Sequence, residues 1–134
     1  MTSHARGLFE VTMTPQPAQD GVGDPAIGRM ALDKRFQGDL QATSKGQMLA
    51  LRTDTEGSAG YVALERVEGS LHGRHGAFAL QHSGTMTRGE PQLQIGVVPD
   101  SGSGGLSGLT GTLQITVVDG KHAYDFEYSL PGAD

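Results

Sequence analysis

Apolar and polar residues alternate with a period of two along most of this chain, the spacing of half-buried β-strands. Residues 6–14 place Phe9, Val11 and Met13 on one face. Residues 28–37 do the same with Met30, Leu32, Lys34 and Phe36. In residues 61–71 the shared face carries Tyr61, Ala63, Glu65 and Val67, and in residues 77–87 it carries Phe78, Leu80, His82, Gly84 and Met86. Residues 92–98 and 112–118 read as two further strands. In residues 122–130, His122, Tyr124, Phe126, Tyr128 and Leu130 face one way. Residues 40–44 and 47–53 read as a hairpin about Lys45 and Gly46. A helix over 47–52 is the alternative, but the flanking turn signals leave too little length for three helical turns.

The punctuation between these runs is that of hairpins. Gly38-Asp39 and Asp119-Gly120 are tight-turn signals, the latter of type I′. Residues 72–76 join the clearest hairpin. Residues 15–26 hold Pro15, Pro17 and Pro25 with Gly21 and Gly23, which predicts a long, mobile loop. The reading is about eight or nine antiparallel strands and no helix, in one domain over residues 1–134. Serial hairpins suit an antiparallel eight-stranded β-barrel, because closure removes exposed strand edges. A sandwich is the alternative. An eight-stranded barrel is either filled by its own side chains or holds one small ligand.

Composition narrows the picture. Glycine supplies 21 of 134 residues, without the strict period of collagen, as expected for a sheet with many turns and kinks. The net charge is −5, and the ten basic residues form no cluster. Neutralising phosphates needs such a cluster, so neither nucleic acid nor an anionic membrane is an expected partner. Four Phe and three Tyr without Trp make no obvious stacking platform. Cysteine is absent, which removes disulfides, thiolate metal sites and a cysteine nucleophile. With no apolar run of secretory or membrane-spanning length, the expected location is cytoplasmic.

Five stretches carry a resemblance: residues 38–40, 59–65, 73–84, 97–111 and 120–130. In this order they resemble a bacterial family of unknown function whose members look like small barrels of the allene-oxide-cyclase type. The resemblance implies an all-β, allene-oxide-cyclase-like barrel and carries over no reaction. Allene oxide cyclase itself binds an apolar epoxide inside its barrel and relies on a buried glutamate and a bound water. No residue of that motif maps onto a position here.

Among chemistry-bearing residues, His82 stands out, because it shares its face with Phe78 and Leu80. A polar ring there needs a hydrogen-bond partner, either a neighbouring strand or a ligand. Glu65 is the second such residue, and Lys34 is a candidate partner for it. Tyr61, Phe78 and Tyr124 complete the candidate ligand-binding set. His72 and His75 flank Arg74 in a turn, where the guanidinium opposes a cation, so no metal is expected. The Gly-rich residues 102–111 lack the Gly-Lys-Ser/Thr ending and the helix of a phosphate loop. They read as a crossover packing Leu106 and Leu109 over a barrel end. No Gly-x-Ser-x-Gly elbow supports Ser-His-Asp catalysis, and no cofactor is expected.

The expected function is binding of an apolar small molecule inside the barrel. Two alternatives stand beside it. One is an isomerase or cyclase acting on such a molecule. The other is a structural barrel with a filled interior that associates as a homo-oligomer, since Val62 and Leu64 are apolar on the opposite face.

Overall fold

The computed structural model describes residues 2–132. The strands are β1 (Ser3–Pro15), β2 (Ile27–Gly38), β3 (Leu40–Arg52), β4 (Ala59–Leu71), β5 (Arg74–Thr87), β6 (Glu90–Val97), β7 (Ser103–Gly104), β8 (Thr110–Val118) and β9 (Lys121–Ser129). All neighbours pair antiparallel in the order β4-β3-β2-β1-β9-β8-β6-β5, and β4 also pairs with β5. The sheet therefore closes into an all-β, eight-stranded barrel, with the two-residue β7 attached to β5 as an appendage. No helix of the described residues is long and apolar enough to cross a membrane.

Register follows from the turns. At His72-Gly73, Arg88-Gly89 and Asp119-Gly120 both turn residues have positive φ, which matches the strand twist and fixes each hairpin to a two-residue loop. The hairpin expected about Lys45-Gly46 does not exist, because β3 runs unbroken through it. Gly46 is instead a close-approach glycine: a Cβ there would collide with the Leu64 carbonyl on β4. Gly76 likewise belongs to β5 rather than to a turn, packed against the Ser103 carbonyl.

Period-two alternation then sorts the side chains. Even positions of β3, β5 and β9 and odd positions of β1 and β4 face inward, as their burial patterns show. One half of the interior is filled. Phe78 stacks on Phe126 with centroids 5.7 Å apart, among Leu40, Val67, Leu71 and Leu80. Residues 98–109 cross this end and seal it with Leu106 and Leu109, both 1 % exposed. Tyr124 belongs to this half too; its hydroxyl accepts from Leu40 N–H at 2.9 Å and donates to the Gln37 carbonyl at 2.7 Å.

That crossover has a cost. β6 lines up with β8 only at Gly96 and Thr112, so the barrel is least well zipped there. On the outside, Ile27 faces Leu51, and Leu49 faces Val62 beside Leu64; all five are exposed.

Candidate functional site

Four consecutive strands each place one polar side chain at mid-barrel. Lys34 on β2 lies directly opposite Ser44 on β3. Glu65 on β4 is opposite Gly46, two residues beyond Ser44. His82 on β5 is opposite Ala63, two residues from Glu65. Gly46 and Ala63 leave the space in which these longer side chains converge.

Glu65 is the hub. Lys34 Nζ donates to its Oε2 at 2.8 Å, and Ser44 Oγ donates to its Oε1 at 2.7 Å. His82 Nε2 lies 2.5 Å from Oε2. A carboxylate only accepts, so the Nε2 of His82 carries the proton in this contact. Lys34 Nζ also sits 5.2 Å from the Phe9 ring centroid and 6.0 Å from that of Phe36, so aromatic faces cover the rest of the ammonium. Burial alone would raise the Glu65 pKa. The His82 hydrogen bond, the charge and hydrogen bond of Lys34 and the Ser44 hydroxyl outweigh it and hold the carboxyl at about 2.

Tyr61 lies above this cluster, its ring centroid 6.4 Å from that of His82. Its ring lies against the Gly84 backbone, where any Cβ would meet it. Beyond Tyr61 the barrel opens into a cup of about 820 Å³. Its walls are inward-facing apolar positions, among them Met48, Ala50, Ala59, Met86, Pro91 and Leu93. Thr53 and residues 55–58, between β3 and β4, form part of the rim.

The candidate residues thus separate into three groups. Lys34, Glu65 and His82 come together as a buried polar cluster and do not line the cup. Tyr61 lines the cup and forms its floor. Phe78 and Tyr124 lie in the filled half, away from it. Sequence reasoning missed Ser44. No local signal placed it: a two-residue turn at Gly38-Asp39 would set Lys34 opposite Thr43, whereas the observed register, centred on Asp39, sets it opposite Ser44. It also missed Met48, Met86 and the rim loop, which carry no chemical motif. His72 bonds Tyr128 and lies 3.6 Å from Asp39, which ties the β4–β5 turn to the sealed end. No group of three or more His, Cys, Asp or Glu suited to a metal ion occurs among the described residues.

The model of the family described as protein of unknown function (DUF3224) matches residues 5–128. The chain belongs to the DUF3224 family. A crystal structure of a DUF3224 protein with unknown function from Shewanella oneidensis MR-1 is similar to it with a TM-score of 0.91 and 47% sequence identity. That alignment covers 99% of this chain and 100% of the other. No curated protein matches. Membership of DUF3224 brings the barrel with it and no assigned activity.

Proposed function

We propose that this DUF3224 barrel binds an apolar small molecule in its open cup. The observation that carries the reading is the asymmetry of the interior. One half is packed shut, while the other keeps about 820 Å³ of largely apolar space, within the range of about 300–1,000 Å³ of ordinary ligand pockets. A barrel needing only stability would fill both halves. Met86 and Leu93 remain 43% and 44% exposed on the inward face, apolar surface that a ligand would cover. Met48 and Met86 can repack around occupants of different shape, because their unbranched side chains are flexible. A cytoplasmic setting belongs to the same proposal, supported by the lack of cysteine.

Nile red, a neutral apolar dye, tests this directly. Its emission is expected to shift to the blue and rise on titration with the protein. Ala50→Trp places an indole in the cup and is expected to weaken the dye at least about tenfold, with the far-UV circular dichroism unchanged. Equal binding by the two proteins, or no binding by the wild type, would refute the proposal.

A second reading, assembly with another copy, is favoured by the outer patch of Ile27, Leu49, Leu51, Val62 and Leu64. Sedimentation at micromolar concentration is expected to show a dimer that Val62→Lys with Leu64→Lys dissociates. A wild-type monomer removes this reading and leaves the cup untouched.

A further inference from the structure

We propose that the ligand of the cup carries a neutral carbonyl group, a ketone, aldehyde or ester, which accepts a hydrogen bond from the Tyr61 hydroxyl. This deepens the small-molecule reading and rests on it.

The polar inventory of the cup leads to Tyr61. Its inward-facing wall positions are apolar, Thr85 and Gln92 border it only from outward-facing, solvated strand positions, and the polar groups of the rim are engaged or solvated. Thr53 Oγ1 shares its one proton between the carbonyls of Thr55 and Ser58 and accepts from the Thr55 N–H, and Ser58 Oγ accepts from the Arg88 N–H. Arg52 and Glu56 stand at the rim with opposite charges in contact with water. At the floor, Tyr61 brings a half-buried phenol whose hydroxyl bonds no protein group among the described residues and is open to the cup, since no sealed polar side-chain atom there lacks a partner. Water satisfies such a hydroxyl while the cup is empty, and a ligand that displaces that water has to supply an acceptor in its place.

Two features set what kind of partner fits. The ring is held in one place, because it lies on the Gly84 backbone with no side chain beneath it. The hydroxyl is also kept as a donor: burial first, and then the nearby Glu65 charge, raise its pKa above the usual phenol value. The same carboxylate repels an anionic head group. The ion pair already uses Lys34, the cation beside the floor, and Arg52, the cation among the lining residues, stands at the rim, away from the inner end of a ligand. A neutral acceptor at the inner end of an apolar body satisfies the donor without meeting that repulsion, and a carbonyl is the compact group of this kind.

Three shape-matched probes separate the outcomes: 2-acetylnaphthalene, 2-ethylnaphthalene and 2-naphthoate, each measured by displacement of Nile red. The ketone is expected to bind about fivefold more tightly than the ethyl compound, the ordinary worth of one neutral hydrogen bond. The carboxylate is expected to bind most weakly. Tyr61→Phe is expected to erase the preference for the ketone while leaving 2-ethylnaphthalene unchanged. Gly84→Ala, which pushes the ring off its seat, is expected to erase it as well. If Tyr61→Phe keeps the ketone preference, if ketone and hydrocarbon bind the wild type equally, or if naphthoate binds best, the carbonyl assignment is overturned and the cup reading stands. If none of the three displaces the dye, the cup reading itself falls.

Discussion

Replacing Glu65 with leucine is expected to destabilise the protein by about 3–5 kcal/mol, read by urea or guanidinium unfolding. Glu65 is 2% exposed and is the shared acceptor of Lys34, Ser44 and His82. Without it the Lys34 ammonium stays between two aromatic rings with no counter-charge, and the His82 N–H loses its acceptor. The expense comes from leaving partners unpaired, not from the intrinsic worth of the ion pair. The double variant Lys34→Met with Glu65→Gln is therefore expected to recover most of the loss, since it removes both charges together and keeps an acceptor for His82. A double variant no more stable than Glu65→Leu would contradict this account.

The same residue sets a pH dependence. Glu65 has a folded-state pKa of about 2 against an ordinary carboxyl value of about 4.5, so the folded state holds its proton less tightly than the unfolded chain. Its contribution to stability is complete above the unfolded value. It declines as pH falls from about 4.5 and is gone below about 2. Denaturation midpoints measured across that window should fall steeply in the wild type and more gently in Glu65→Gln. Parallel slopes would mean that other carboxylates carry the acid response.

Phe126→Ala should lower stability by about 3–5 kcal/mol and leave Nile red affinity within about twofold of wild type. Phe126 is 0% exposed, stacks on Phe78 and packs against Tyr128 with centroids 5.4 Å apart. Removing its ring opens a cavity in the half that is otherwise full. The polar cluster of Lys34, Glu65 and His82, with Tyr61 above it, lies between that half and the cup. Damage on one side should therefore not reach the other. A variant that stays folded yet loses dye binding would show that the two halves are mechanically coupled.

The inward faces were readable from the chain because a strand has a period of two. Once Phe78 and Leu80 point inward, so must His82, and once Val67 does, so must Glu65. Turns were readable where backbone conformation demanded special residues. Asp119 and Gly120 have φ of 51° and 76°, which few residue pairs accept without strain. Gly46 misled the reading for a related reason. Glycine marks a turn by its conformational freedom or a strand by its lack of a side chain, and the chain does not say which. Here the second holds, because β4 passes too close for any Cβ.

Local sequence thus determined the all-β class, the inward faces of β1, β2, β4, β5 and β9, and the sealed end under Leu106 and Leu109. Which half would be full and which open lay beyond it. That follows from closure, when β9 pairs with β1 across more than a hundred residues of chain and the crossover covers one end. Tertiary structure alone also joined Lys34, Ser44, Glu65 and His82, because strand register fixes their separation and no periodicity encodes register. The reason is physical: alternation is a property of one strand, whereas a cavity and a buried ion pair belong to several strands at once.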